Sequence, residues 1–292
     1  MRWGWISCLC WLLSTLSCQA GDARADASPI VCGLSHVPVA VQNLSAAEND
    51  FKKLGFTLKP GRSHSDGIRN SHLKFEDGTE IELITASNSV DAITASYVDY
   101  LKRGDGPAFM ALYAPNMSAV ANALDRWSLR YEATDGLVSF PDDATTPEVF
   151  FAGLNYSPTD KPAYFKHANG AQSLMAVWLA GGDLSAEQEL LGRLGASESS
   201  ERLDLPSAVI AKAMRFKLGE VRFLPSKFVV VPGHPIVGVT VRTDDLRKVL
   251  TALRVADLPV PRIVTSDKGR SLFIPPERAH GMWIEFRETV SP

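Results

Sequence analysis

The stretch "SHVPVAVQNLSAAENDFKKL", residues 35–54, joins a strand pattern to a helix pattern. Its first part alternates apolar residues with others, and its second part repeats apolar residues at helical spacing. A second stretch, "AFMALYAPNMSAVANALDRW" at residues 108–127, aligns with it without a gap and places Phe109 opposite His36. Self-similarity of this kind indicates an internal repeat.

Two more copies follow, "SLMAVWLAGGDLSAEQELLGRLG" at residues 173–195 and "IVGVTVRTDDLRKVLTALRV" at residues 236–255. In the first copy the helix leads into the strands "NSHLKFEDG" and "TEIELITA", which an Asp-Gly turn joins. The repeating unit is therefore strand, helix and three strands. The sequence predicts an α+β fold of four βαβββ modules.

A glutamate stands in the middle of the last strand in two of the modules. Glu82 follows His36 by 46 residues, and Glu285 follows the equivalent Gly238 by 47. A carboxylate in a strand that is otherwise apolar is costly to bury unless something pairs with it. The spacing indicates that the two glutamates occupy equivalent positions.

The composition excludes some classes of partner. The chain has 292 residues, of which 45% are hydrophobic and 22% charged, with a net charge of −3. This length suits one large domain or two of ordinary size. Because no long basic run is present, we expect neither nucleic acid nor an anionic membrane surface as a partner.

Residues 1–20, "MRWGWISCLCWLLSTLSCQA", have the pattern of a secretory signal peptide: an early arginine, an apolar run and small residues at the end. An exported protein, periplasmic or secreted, is expected, and a lipid anchor at Cys18 is the alternative. Residues 21–32 are predicted to form a flexible tether. After cleavage only Cys32 remains, which leaves no intramolecular disulfide.

The module resembles those of the vicinal oxygen chelate superfamily, which includes glyoxalases, bleomycin-resistance proteins and ring-cleaving dioxygenases. The resemblance rests on "GLSHVPVAVQNL", "GTEIELI" and "FIPPERAHGMWIEFRE", and it extends over residues 33–288. The first copy and "HANGAQSL" resemble the glyoxalase-like branch. The resemblance implies that paired modules curl into open, barrel-like cups, with one domain at residues 33–165 and a second at 166–292.

The resemblance also implies one divalent metal ion, held by residues at the His36-type and Glu82-type positions of two partnered modules; members without metal simply bind a ligand. The first module supplies His36 and Glu82, which are candidates for metal ligation and for catalysis. The other modules have few donors there: Phe109 and Phe150 or Phe151, Met175 or Ala176 with Arg222, and Gly238 with Glu285. Because two histidines are missing beside Glu285, dioxygenase activity is disfavoured.

Several other residues are candidates for lining a ligand pocket: His72, Phe109, Phe151, His280 and Glu285. His72 lies on the strand next to Glu82, across the Asp77-Gly78 turn. Glu285 has a second interpretation, because Arg222 occupies the matched place in the third module. An Arg–Glu pair there would replace the metal charge for charge and make the second cup structural.

Three hypotheses about function remain open. The first is a metal-dependent lyase or isomerase, in which Glu82 is the general base that abstracts a proton next to a carbonyl of a small molecule. The second is a non-catalytic binding protein with a degenerate metal site, and the third is a structural envelope protein that recognises a partner. A small molecule is the expected ligand, and a homodimer stays open.

Overall fold

The computed structural model describes residues 29–289 apart from 63, 135, 204, 206, 207 and 267. The predicted signal peptide and the lipidation site at Cys18 lie outside the described residues. Within them, the strands form two sheets, the first from residues 33–152 and the second from residues 171–289. No helix among the described residues is long and apolar enough to cross a membrane.

The first sheet contains the first two modules. Its elements are β1 (Gly33–Ala40), α1 (Leu44–Lys53), β2 (Lys59–Pro60), β3 (Arg69–Lys74), β4 (Glu80–Thr85), α2 (Ala92–Leu101), β5 (Gly106–Pro107), β6 (Met110–Tyr113), α3 (Met117–Arg126), β7 (Glu132–Thr134), β8 (Leu137–Ser139) and β9 (Val149–Ala152). The strand order is β2-β3-β4-β1-β6-β9-β8-β7, with β5 paired to β1.

The second sheet contains the third and fourth modules. Its elements are β10 (Ala171–Gly181), α4 (Ser185–Arg193), β11 (Ser197–Leu203), β12 (Val209–Arg215), β13 (Glu220–Pro225), β14 (Ile236–Thr243), α5 (Leu246–Val255), β15 (Val264–Ser266), β16 (Gly269–Ile274) and β17 (Trp283–Thr289). Short 3-10 helices span Pro162–Phe165, Ser226–Phe228 and Pro276–Arg278. The order β11-β12-β13-β10-β14-β17-β16-β15 repeats that of the first sheet.

Both sheets have the same internal symmetry. Each module pairs its first and last strands in parallel, as β1 with β4 and β14 with β17, and the two modules of a sheet meet through their antiparallel first strands. The predicted α+β fold of four βαβββ modules in two cups is therefore confirmed. The first module pairs with the second, and the third with the fourth.

One continuous hydrophobic core joins the two halves. Side chains of alternating strand residues, such as Val37 and Leu83 in the first sheet and Leu179 and Phe286 in the second, are fully buried in it together with helix residues. Fully burying a side chain of this size stabilises the fold by about 1.5–3 kcal/mol. The helices α1, α3, α4 and α5 all contribute to this core, which leaves the opposite face of each sheet as the inside of its cup.

The predicted tether is too long at its C-terminal end. Val31 is only 2% exposed, and the backbone of Cys32 bonds to Tyr113 on one side and Leu218 on the other, at 2.8 and 2.9 Å. The backbone of this segment thus bonds to both halves of the protein, and the apolar side chain of Val31 packs in the shared core.

Candidate functional site

The inside of the first cup is set by strand alternation. Val37 and Val39 of β1 and Ile81 and Leu83 of β4 enter the shared core, so the residues between them face the other way. In the parallel register, His36 lies opposite Glu80, and Pro38 lies opposite Glu82. On β3, Asn70 and His72 follow the same alternation, since Ser71 is buried and Leu73 joins the core. The inner residues are His36, Asn70, His72, Glu80 and Glu82.

The His36 ring is held in one tautomer by its neighbours. Its side chain is almost fully buried, and Nδ1 lies 3.0 Å from the hydroxyl oxygen of Ser35. That hydroxyl donates its hydrogen to the carbonyl of Gly153 at 2.7 Å, so it accepts from the Nδ1–H of His36. Burial lowers the pKa of His36, which keeps the ring neutral at pH 7. The Nε2 lone pair has no hydrogen-bond partner among the described residues.

Glu82 remains partly exposed inside the cup. Its Oε1 accepts a hydrogen bond of 2.6 Å from the side-chain amide of Asn70. The negative charge of Glu82 acts on two neighbours: it opposes the fall in the pKa of His36 and adds to the rise in the pKa of Tyr97. The structure therefore places His36 and Glu82 on the same inner face of the first cup, together with Asn70 and Tyr97.

Glu80 forms a buried polar network that the sequence analysis missed. Its Oε1 lies 3.1 Å from Nδ1 of His72 and accepts from the amide of Asn155 at 2.8 Å. Its Oε2 lies 3.3 Å from the ammonium of Lys74, which also pairs with Asp160 at 3.2 Å. Strict alternation along "TEIELITA" could have identified Glu80, because it places both glutamates on one face.

This network changes the charge states of its members. Burial alone would lower the pKa of His72, but its hydrogen bond to Glu80 and the charges of Glu80 and Glu82 together outweigh that effect and raise the pKa. Burial alone would raise the pKa of Glu80, but His72, His36 and Lys74 together lower it. His72 thus lies on the inner face of the first cup, where its ring pairs with Glu80.

The second module supplies aromatic rings to the inside of the cup. The ring of Phe150 meets that of His36 edge-on at 5.1 Å, and Phe109 packs on Phe150 at 6.5 Å. The prediction that Phe151 lines the pocket is wrong: Phe151 is fully buried in the shared core, because it is the next residue along β9 and faces the opposite side. Phe150 takes the position that corresponds to Glu82.

Helix α2 covers part of the first cup and was not predicted. It begins with a capping box, in which Asp91 accepts from the amide of Thr94 at 2.8 Å and the Thr94 hydroxyl accepts from the amide of Asp91 at 3.0 Å. Its buried tyrosines, Tyr97 and Tyr100, pack inside the cup against Ile84.

A cavity of about 190 Å³ lies between α2 and the aromatic side of the cup. Its apolar lining includes Ile93, Tyr97, Phe109, Leu137, Phe140 and Phe150. Tyr97 meets Phe109 edge-on at 5.3 Å and is only 3% exposed. Burial, with the charge of Glu82, raises the pKa of Tyr97 well above its ordinary value, so the phenol keeps its proton. That hydroxyl has no hydrogen-bond partner among the described residues.

In the second cup, the glutamate equivalent to Glu82 is Glu285, and it forms an ion pair. Glu285 is fully buried, and its Oε2 accepts from Arg222 at 2.8 Å and from Thr240 at 2.7 Å. Its Oε1 accepts from Ser271 at 2.5 Å and from Arg287 at 2.7 Å. The Arg222–Glu285 pair expected from the repeat is present, and Glu285 is not a lining residue of a ligand pocket because both its oxygens are engaged.

The remaining pocket candidate, His280, lies outside both cups. Its Nδ1 is 2.8 Å from Asp105, its Nε2 is 3.3 Å from Asp50, and its ring stacks on Phe51 at 6.1 Å. The prediction that His280 lines the pocket is therefore wrong. The residue precedes β17 in a turn of positive φ, which directs it toward α1 of the other half.

Comparison with known proteins assigns the chain to a family. A family model described as a glyoxalase-like domain matches residues 34–195, more than half of the chain. The chain belongs to the glyoxalase-like domain family. No curated protein sequence matches the chain.

Solved structures with the vicinal oxygen chelate fold resemble this glyoxalase-like protein. A triple mutant of 4-hydroxymandelate synthase from Streptomyces coelicolor has a TM-score of 0.65 and 13% identity, over 90% of this chain and 94% of that one. A catechol 2,3-dioxygenase has a TM-score of 0.61 and 15% identity, over 90% of this chain and 95% of that one. A xylose isomerase-like TIM barrel/4-hydroxyphenylpyruvate dioxygenase fusion protein has 0.64 and 11%, over 91% of this chain but 50% of its own length. At these identities the likeness shows the fold alone.

The donors of the first cup do not form a complete metal site. A catalytic divalent metal needs about three protein donors and an open position. His36 and Glu82 are two donors, but Phe109 and Phe150 stand where the partner module would supply the others, and Glu80 is bound to His72 and Lys74. Among the described residues of this glyoxalase-like chain, no group of three histidines, cysteines or carboxylates is placed to hold a metal ion.

Proposed function

We propose that this glyoxalase-like protein binds a compact apolar molecule with one hydrogen-bond acceptor in the aromatic half of the first cup, and that binding requires no resident metal. The observation that carries the proposal is Tyr97, which is only 3% exposed, lines the cavity and has no hydrogen-bond partner for its hydroxyl among the described residues. Buried hydroxyl groups almost always have a hydrogen-bond partner. A ligand oxygen in the cavity would supply one.

The size and lining of the cavity define the ligand class. Its volume of about 190 Å³ is smaller than the ~300–1,000 Å³ of pockets for drug-sized ligands. The rings of Phe109, Phe140 and Phe150 offer edges and faces to a flat apolar molecule. A small aromatic ketone or aldehyde fits this description, with its carbonyl oxygen accepting from Tyr97.

A pair of matched probes tests the role of Tyr97. Acetophenone carries a carbonyl, and ethylbenzene has nearly the same shape without one. In calorimetric titrations we expect Tyr97→Phe to weaken acetophenone binding about fivefold, the value of one hydrogen bond, and to leave ethylbenzene unchanged. Tyr156→Phe, at an exposed tyrosine, is the control. Equal loss for both probes, or no binding of either probe to the wild type, would overturn the proposal.

A second candidate function is proton abstraction next to the carbonyl, the lyase or isomerase chemistry expected of the family. It is favoured by the Nε2 of the neutral His36, which has no hydrogen-bond partner among the described residues, and by the partly exposed carboxylate of Glu82. Against it, neither residue lines the cavity that Tyr97 lines. Binding without catalysis is therefore the better-supported function.

Isotope exchange separates the two candidates. If Glu82 accepts a proton from the methyl group of acetophenone, the enolate formed takes up deuterium from D₂O, and NMR detects the exchange. The binding proposal predicts no exchange above the buffer rate in the wild type. Exchange that disappears in Glu82→Gln, while acetophenone still binds, would establish the enzyme instead.

Export belongs to the same proposal and is supported by the pattern of residues 1–20. Expression of the full chain in a bacterial host, followed by mass spectrometry, tests it. We expect a mature chain that begins after Ala20, in the periplasm or the medium. An intact N-terminus in the cytoplasmic fraction would contradict export, and a diacylglycerol adduct on Cys18 would establish the lipid-anchored alternative.

A further inference from the structure

A larger cleft lies between the two halves, away from the cavity under α2. Its volume is about 550 Å³, within the range of small-molecule sites. Leu34, Asp77 and Leu154 of the first half line one side, and the ends of β12, β13, β14 and β17 line the other. The cleft shares no lining residue with the first-cup cavity.

The floor of the cleft belongs to an ion network in which the charges balance. It joins three arginines to three glutamates: Arg215, Arg222, Arg287, Glu201, Glu220 and Glu285, all of which line the cleft except Glu285. Arg222 alone lies 3.1 Å from Glu201, 2.6 Å from Glu220 and 2.8 Å from Glu285. With three arginines and three glutamates, the network is polar and neutral overall.

The rim of the cleft has more positive than negative charge. Lys217, Arg242 and Lys268 line it and are exposed, and none of the three has an ion-pair partner among the described residues. Asp77, the one carboxylate on this rim within the described part of the chain, already accepts from the hydroxyl groups of Ser173 and Thr79. Three cations beside one carboxylate leave an excess of two positive charges, in a chain whose net charge is −3.

Apolar side chains line the cleft beside the cations. They are Leu154, Met175, Phe216 and Leu218, of which Leu218 is 49% exposed although it is a leucine. Apolar and cationic lining residues in one cleft suit a ligand with an apolar body and anionic groups.

We propose that the cleft between the halves binds a small organic dianion, such as an aromatic dicarboxylate or a phosphate monoester. Two negative charges would neutralise the excess on the rim, and an apolar body would cover Phe216 and Leu218. The balanced floor repels neither part of the ligand, because its arginines already have carboxylate partners. The site is separate from the first cup and does not rest on the function proposed there.

Calorimetric titrations with three related probes at fixed ionic strength and pH 8 test this site. Phthalate and phenyl phosphate are dianions with an apolar ring, and phthalamide is the neutral counterpart of phthalate. We expect both dianions to bind and phthalamide not to. Their relative affinities identify the preferred anionic group. Failure of both dianions to bind, or equal binding of phthalamide, would overturn the proposal.

Substitutions on the rim locate the probe. We expect Arg242→Gln and Lys268→Gln each to weaken phthalate binding roughly five- to tenfold, because each removes one charge from a partly shielded site. Both side chains are exposed and unpaired, so the variants should fold, which thermal melts check. Lys52→Gln, an exposed lysine on α1 outside the cleft, and Tyr97→Phe in the first cup should leave phthalate affinity unchanged. An equal effect of either control would contradict the assignment.

Discussion

Glu82 and Glu285 occupy equivalent positions in the first and fourth modules, but their surroundings give them different roles. Glu82 is partly exposed and accepts one neutral hydrogen bond, from Asn70. Glu285 is fully buried, where burial alone would raise its pKa; Arg222 and Arg287 outweigh that effect and lower it. A buried carboxylate needs cations and hydrogen-bond donors, which Glu285 has, whereas Glu82 keeps part of its surface exposed.

Removal of Arg222 should be among the most damaging single changes to this fold. Arg222→Met fits the volume but leaves Glu285 and its neighbours with too little positive charge in a buried site. We expect a loss of about 3–5 kcal/mol in the free energy of unfolding, measured by urea denaturation. Arg254→Met, an exposed arginine at the end of α5, should change it by less than about 0.5 kcal/mol. A loss below about 1 kcal/mol for Arg222→Met would show that the network does not stabilise the cup.

At the scale of elements, the repeat predicted the four modules but not what lies between them. Each βαβββ unit has its own strand and helix periodicity, so alignment of the copies was enough to identify it. Helix α2 lies outside the repeating unit, so alignment of the repeats does not predict it. Its Asp91–Thr94 capping pair and the spacing of Tyr97, Tyr100 and Leu101 are helix signals that were present in the sequence.

The cap of α2 links the stability of the helix to the cavity beneath it. Asp91→Ala removes the hydrogen bond to the Thr94 amide, which costs about 0.5–2 kcal/mol of helix stability. Because Tyr97 lies on this helix, we expect acetophenone to bind more weakly, as measured by calorimetry. Asp99→Ala removes exposed ion pairs from the same helix and should leave affinity nearly unchanged. Unchanged affinity in Asp91→Ala, despite a less stable helix, would separate α2 from ligand binding.

The candidate site was predictable only in part, for physical reasons. His36 and Glu82 followed from the spacing of the repeat. The choice of Phe151 over Phe150 failed because one residue along a strand reverses the face, and spacing alone does not fix the register. His280 was placed in the wrong site because its turn, not its strand, decides where it lies.

The two halves of the protein share one core and are further joined by His280. The imidazole of His280 bridges Asp105 and Asp50 of the first half. The hydrogen bond that His280 donates to Asp105 is the main cause that raises the pKa of His280, against the opposing effect of burial. A charged His280 therefore stabilises the contact between the halves.

This contact should make stability depend on pH. Because the folded pKa of His280 lies above its ordinary value of 6.5, its contribution is complete below pH 6.5 and is lost as the pH rises through the folded pKa. His280→Asn suits the positive φ and removes the charge. We expect the difference in the free energy of unfolding between wild type and variant to shrink as the pH rises from 6 to 9, in urea titrations at each pH. A difference that stays constant or grows would contradict stabilisation by a charged His280.

Recognition of an organic ligand by the first cup should require no resident metal. Titration of acetophenone into the protein as purified and after treatment with a chelator tests this directly, with metal content measured on both samples. We predict equal affinity in the two samples and a metal content well below one equivalent. Loss of binding after chelation, restored by a divalent cation in the wild type but not in His36→Ala, would contradict it.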